Sequence, residues 1–201
     1  EEAFDVYVKK TLDRINKVKP LIPNNDTQYY YVNGKKVINL FHPSFKNYLQ
    51  NLFNKIYFPS YYTLIHGDPT FSNILIENNT NRIVFIDPRG YFATTKLYGD
   101  FYYDFAKLYY SAIGNYDMFN QRRFKIEIDG INVKIEIDTN DFETTEKIFE
   151  KHFNKTKMKN IKILHALIWL SLSGYVLDDI DSMLGAYFRG LELLSEVENV
   201  E

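Results

Sequence analysis

Between Leu64 and Gly90 the chain reads LIHGDPTFSNILIENNTNRIVFIDPRG, and four of its side chains can do chemistry: His66, Asp68, Asn73 and Asp87. Two carboxylates and an amide oxygen are hard oxygen donors. Mg²⁺ selects such donors, takes few of them from a protein, and leaves its remaining positions to water and phosphate oxygens. A set of this kind suits phosphoryl transfer, where the protein's task is positioning and charge neutralisation. Asp68 and Asp87 lie well apart in sequence, so the elements around them must gather them. Ile74–Ile76 and Ile83–Ile86 are short apolar runs on either side of the turn-rich Glu77–Asn81, a pattern that predicts a hairpin of buried strands. His66-Gly67-Asp68 turns the chain before the first strand and Asp87 ends the second, so Asp68, Asn73 and Asp87 are expected at one end of a small sheet.

The string His66-Gly67-Asp68, followed by Asn73 and then by Asp87 closing the next strand, resembles the catalytic and metal-binding loops of kinase-fold small-molecule phosphotransferases, the aminoglycoside phosphotransferase and choline kinase group. Protein kinases carry a related H-R-D-x-x-x-x-N loop and a D-F-G. The likeness runs from Leu64 to Ala106, where Gly99-Asp100-Phe101-Tyr102-Tyr103-Asp104-Phe105-Ala106 is similar to the helix after the family's metal loop. It departs at Asp87-Pro88-Arg89-Gly90, which is not D-F-G. The resemblance implies ATP and Mg²⁺ as cofactors. By the same likeness Asp68 would be catalytic, accepting or orienting the proton of an attacking hydroxyl, and Asn73 and Asp87 would hold the metal against the nucleotide phosphates. His66 would brace the catalytic loop, and Asp104 would accept hydrogen bonds from the loop backbone. Arg89 could bind a nucleotide phosphate, reach an acidic substrate, or form an ordinary ion pair.

The fold implied is α+β and mostly helical: residues 1–201 as one domain, the C-terminal catalytic lobe of a protein-kinase-like fold with small β-hairpins. Such enzymes clamp ATP under a second, N-terminal lobe that supplies a covering loop and a Lys. Before His66 the only glycine is Gly34, so no G-x-G-x-x-G exists there, and the chain starts on Glu1 rather than Met. That lobe is therefore expected to be largely missing, as from a processed, excised or engineered fragment that would bind nucleotide weakly alone. The expected activity is transfer of the γ-phosphoryl group to a hydroxyl of a sugar, an aminoglycoside or an amino alcohol. One rival is a non-catalytic kinase-fold binding or regulatory module. Another is a metal-dependent phosphohydrolase using His66, Asp68 and Asp87, disfavoured because the other histidines, His42, His152 and His165, lie far from paired carboxylates.

The whole composition fits these readings. A chain that is 45% hydrophobic and 17% aromatic can build a sizeable core,. A net charge of −2 argues against nucleic acid held by bulk electrostatics,. The absence of cysteine excludes disulfides and thiolate zinc sites,. No signal peptide and no apolar run of about 18 residues is visible, so no membrane association and a cytoplasmic location are expected.

In chain order, Glu1–Lys19 predicts an amphipathic helix with Phe4, Val8, Leu12 and Ile15 inward,. Tyr29–Val32 and Lys36–Leu40 flank Asn33-Gly34, a hairpin signal,. Ser44 is placed to cap a helix through Tyr48, Leu49, Leu52, Phe53 and Ile56, stopped by Pro59,. Gly99–Met118 predicts one helix with Phe101, Phe105, Leu108 and Tyr109 inward. Phe124–Ile137 alternates about Asp129-Gly130 as a second hairpin, with a packing role or a part in shaping the acceptor pocket,. Asn140 with Glu143 suggests a capping box,. Met158–Val176 is a core helix holding His165 and Trp169, and the acidic run Asp178–Asp181 starts the last helix, where it suits the helix dipole or a cationic acceptor,.

Overall fold

Two long helices, α7 (Lys155–Ser173) and α8 (Ile180–Glu198), form the centre of the computed structural model, which describes residues 1–58 and 61–198. Pro59 lies outside the described residues, as does the side chain of Glu143. Asn154 caps α7 by accepting from the Lys157 N–H at 3.0 Å,. Ile161, Ile163, Leu164, Leu167, Trp169 and Leu170 bury most of its circumference, and a helix apolar on nearly every side must be covered on nearly every side. Its cover is α8, α4 (Phe101–Ala112) and α2 (Lys10–Val18). The polar groups inside are paired, as burial requires: Trp169 Nε1–H donates to His165 Nε2 at 2.9 Å. Burial holds His165 well below the usual histidine range, so it is a neutral core residue,.

The N-terminal helix runs through α1 (Glu2–Phe4), a π-helical segment (Asp5–Lys9) and α2. Its inward face is Ala3, Tyr7, Val8, Thr11, Ile15 and Val18. Leu12, expected on that face, is exposed, because the wider π-helical turn shifts the register and gives Thr11 the inward position,. A Cβ on Gly174 would come within 2.1 Å of the Arg14 carbonyl oxygen. Glycine is what lets α2 cross the end of α7 so closely, and it seats Arg14 where Nη1 donates to Ser171 Oγ at 3.0 Å.

Both expected hairpins form, β1 (Tyr29–Val32) with β2 (Lys35–Ile38) and β7 (Phe124–Asp129) with β8 (Asn132–Ile137). They also join, in the order β2-β1-β8-β7, through a parallel β1–β8 pair. Asn33 locks the junction. Its amide donates to the Ile135 carbonyl at 3.1 Å and its carbonyl accepts the Ile135 N–H at 3.0 Å. The sheet lays Val133 and Ile135 into the core beside α8.

Several local expectations are corrected. Ser44 caps no helix: His42 Nδ1 accepts the Ser44 N–H at 3.3 Å over a separate 3₁₀ turn, and α3 (Tyr48–Phe53) starts later. The helix from Gly99 breaks at Gly114-Asn115, where Asn115 is left-handed (φ 57°), and resumes as α5 (Tyr116–Asn120),. The inward face of α4 is Tyr102, Tyr103, Ala106, Tyr109 and Tyr110, while Phe101, Phe105 and Leu108 are only half-buried. Asn140 makes a turn, accepting the Phe142 N–H at 2.9 Å, and leaves α6 (Glu146–His152) without a side-chain cap,. Ahead of α8, Arg122 pairs with Asp179 and with Asp181, so that acidic run is already occupied from within. Mixed α+β architecture is the result. Among the described residues, no helix is long and apolar enough to cross a membrane.

Candidate active site

The site is built where a loop from a short sheet meets the end of a third hairpin. β3 (Thr63–Leu64) pairs with β6 (Tyr98–Gly99), not with the strands that follow it. β4 (Ile74–Glu77) and β5 (Arg82–Phe85) pair only with each other. They were expected as buried strands, yet Leu75, Ile76, Ile83 and Phe85 are all more than half exposed. β-branched and aromatic residues favour the pleated conformation whether or not anything covers it, so the pairing follows from the sequence and the burial does not.

Asp104 on α4 fixes the loop. Its carboxylate accepts the backbone N–H of His66 at 2.7 Å and that of Gly67 at 2.8 Å, which are the contacts the resemblance implies for it. Burial raises its pKa, against the lowering effect of those two hydrogen bonds,. Gly67 has φ 82°, and a Cβ there would stand 2.8 Å from Arg89 Cβ, so only glycine fits the turn,. His66 ties the loop to the hairpin end. Its Nδ1 accepts the Asp68 N–H at 3.3 Å, which leaves the proton on Nε2 for the Ile86 carbonyl at 2.9 Å,. The Arg89 N–H donates back to the His66 carbonyl at 2.8 Å. Both ring nitrogens of His66 are thus engaged by backbone groups of the loop and the hairpin end.

Asn73 is drawn in from the other side. Its Nδ2 donates to the Asp68 backbone carbonyl at 2.9 Å, and its backbone carbonyl accepts the Ile86 N–H at 2.9 Å. Asn73 therefore faces the residue just before Asp87. Asp87 is left-handed (φ 54°), a conformation that costs a non-glycine residue on the order of 1 kcal/mol and concentrates at functional positions. Among the described residues its exposed carboxylate makes no hydrogen bond or ion pair. The Asp87 carboxylate and the Asn73 amide are oxygen donors of the kind Mg²⁺ takes, and the structure links them through the backbone of Ile86. No three His, Asp or Glu side chains cluster as metal ligands among the described residues, so any ion here would draw on Asn73 and on non-protein oxygens.

Compared with family models, characterised proteins and solved structures, the chain matches none.

Asp68, Asp87 and Arg89 line one cavity of ≈ 400 Å³, whereas His66, Asn73 and Asp104 are not among its lining residues. The β7–β8 hairpin, one candidate for shaping this pocket, is not among the lining and serves the sheet instead. Arg89 makes no ion pair among the described residues. Its guanidinium donates to the hydroxyls of Tyr103 at 2.8 Å and Tyr91 at 2.9 Å, so it is oriented but not neutralised.

Three further cations reach the cavity that the loop sequence did not reveal: Lys10, Arg14 and Lys107. Lys107 Nζ sits 3.0 Å from Asp68 Oδ1. Burial, then Arg89, Arg14 and Lys107, push Lys10 down to about 7, against the pull of Asp68,. Lys107 follows Asp104 by about one helical turn, a spacing that could have linked it to the loop, whereas Lys10 and Arg14, one turn apart on an amphipathic helix, carry no signal that separates them from a solvated face,.

Proposed function

We propose that this chain is the catalytic part of an ATP-dependent phosphotransferase, a small-molecule kinase with a kinase-like C-terminal lobe, which moves the γ-phosphoryl group of ATP to a hydroxyl. The observation that carries the reading is the frame. Asp104, His66 and Asn73 spend their hydrogen bonds on the backbone of one loop and one hairpin end, and so hold Asp68 and Asp87 at the edge of a single cavity. A scaffold or regulatory module has no need to fix two carboxylates in this way. The phosphohydrolase alternative loses support because both His66 nitrogens are committed.

In this reading Asp68 orients the acceptor hydroxyl and takes its proton, and Lys107 holds the Asp68 carboxylate in place,. Asn73 and Asp87 would hold Mg²⁺, which when bound spreads the charge of the transferring group. Arg89, steadied by two tyrosine hydroxyls, stands ready for an anionic oxygen, of the nucleotide or of an acidic acceptor,. The exposed apolar face of β4–β5 suits a nucleotide base and a covering lobe, whichever stretch of protein supplies that lobe,. An ATP-consuming reaction fits the cytoplasm.

The test is transfer from labelled ATP to a panel of hydroxyl compounds, with Asp68→Asn alongside. Loss of a general base costs about 10²–10⁴-fold in rate, and the substitution should lower transfer by that much while the fold is unchanged. Equal transfer by the two proteins would sink the assignment.

A further inference from the structure

The cavity that Asp68 and Asp87 open onto is cationic in a chain whose formal net charge is −2. Lys10, Arg14, Arg89 and Lys107 line it against the two carboxylates. Lys107 is paired with Asp68. Arg14 donates to the carbonyl and hydroxyl oxygens of Ser171, and Arg89 donates to two tyrosine hydroxyls. These partners are neutral, so they aim the guanidinium groups without cancelling their charge. Lys10 is half-buried and makes no hydrogen bond or ion pair among the described residues. Crowding like charges in a partly desolvated space is costly unless something opposite fills it.

The remaining wall is aromatic and apolar. Tyr110 and Tyr116 stack at 4.2 Å, Arg14 lies over Tyr175 at 5.1 Å, and Leu167, Ile168 and Leu172 close the side along α7. A space of ≈ 400 Å³ holds a small organic molecule,. Asp87 is reserved for the metal in the reading above, and Asp68 for the reacting hydroxyl. What is left over for the body of the acceptor is positive charge.

We infer that the acceptor is an anion, a hydroxyl compound bearing a carboxylate or a phosphate that Lys10, Arg14 and Arg89 bind, and not an aminoglycoside, a choline-like cation or a neutral sugar. The inference rests on the kinase reading for the word acceptor and on the cavity alone for the word anion. Arg14 and Arg89 supply forked donors that match either anion, and Lys10, only partly charged near neutral pH when the cavity holds no anion, supplies a mobile point charge once an anion favours its ammonium form,. A cationic acceptor would meet Lys10 with no carboxylate to spare for it.

The experiment compares the smallest carriers of each chemistry: glycerol, ethanolamine, glycerate and glycerol 3-phosphate, each offered with labelled ATP and Mg²⁺. One or both anions should exceed the neutral and cationic compounds by at least about tenfold in kcat/KM, and the better of the two tells carboxylate from phosphate. Lys10→Gln should erase that preference through KM with little change in kcat, and Lys10→Arg should keep it. Equal use of all four, or a preference for ethanolamine, overturns the inference while the kinase reading stands. Transfer to none of them counts against the kinase reading, and calorimetry with inorganic phosphate in the presence of saturating Mg²⁺-ADP then judges the anion site by itself. Binding weakened in Lys10→Gln and kept in Lys10→Arg supports it; binding that is absent or indifferent to Lys10 overturns it.

Discussion

The β4–β5 and β7–β8 hairpins carry similar local signals, apolar strands closed by polar turns, and they end in opposite surroundings. In β7–β8 the alternation is used: Val133 and Ile135 are buried while Lys134 and Glu136 face solvent. In β4–β5 there is no buried residue at all, and Ile76 and Ile83 stand in the open on a hairpin paired only with itself. The β7–β8 hairpin packs into the core and lines no part of the cavity at Asp68 and Asp87. The β4–β5 hairpin contributes little burial, and its second strand, ending at Phe85, leads into Asp87. Strand pairing is set locally, whereas burial is set by what the rest of the chain brings to each face.

That contrast can be broken most forcefully in the buried hairpin. Ile135→Ala removes a fully packed side chain at the strand locked by Asn33, and should cost about 2–5 kcal/mol of stability while leaving the site groups in place. Urea unfolding reads it, and a loss below about 1 kcal/mol would mean that the sheet is not part of the cooperative core.

Asp100 comes next, because it is as buried as the sheet yet ionisable. It caps α4, accepting the Tyr102 N–H at 3.0 Å and the Tyr7 hydroxyl at 3.0 Å. Burial pushes its pKa from 3.8 to about 6 in the folded protein. Folding thus favours its protonated form, so its contribution is complete below pH 3.8 and is lost as pH rises through about 6,. The loss is on the order of 3 kcal/mol. Stability measured from pH 4 to pH 7 should fall more steeply in the native protein than in Asp100→Asn. Parallel curves would contradict the burial of a titrating Asp100. Neutral His165 works in the opposite sense, its contribution falling away below its ordinary value of 6.5, and comparing against the variant removes it from the difference.

The smallest effect on stability is expected in the open hairpin. Ile76→Ser replaces an exposed side chain and should change stability by less than about 0.5 kcal/mol, while weakening ATP binding if that face receives the base. A large loss of stability would mean that the face is covered after all.

Sequence alone made the loop legible because its signals are local. His66, Asp68, Asn73 and Asp87 fall within one turn and one hairpin, and Asp104 lies one helix further on, so their order sufficed to group them. The two outer hairpins were legible through Asn33-Gly34 and Asp129-Gly130, but their joining by a parallel β1–β8 pair was not, since it depends on a contact across most of the chain. Lys10 and Arg14 were hidden for the same reason. On an amphipathic helix two lysine or arginine residues one turn apart read as a solvated face, and only the close crossing at Gly174 turns that face toward Asp68. Leu12 was misplaced by a π-helical turn that no 3.6-residue period anticipates.

Binding and transfer measured side by side test the roles proposed for Asp68 and Asp87. Calorimetric titration of the protein with ATP, with and without Mg²⁺, should give metal-dependent binding that Asp87→Asn abolishes and Asp68→Asn preserves, while single-turnover transfer is lost in both. Metal-dependent ATP binding that survives Asp87→Asn unchanged, or transfer that survives Asp68→Asn, would contradict it.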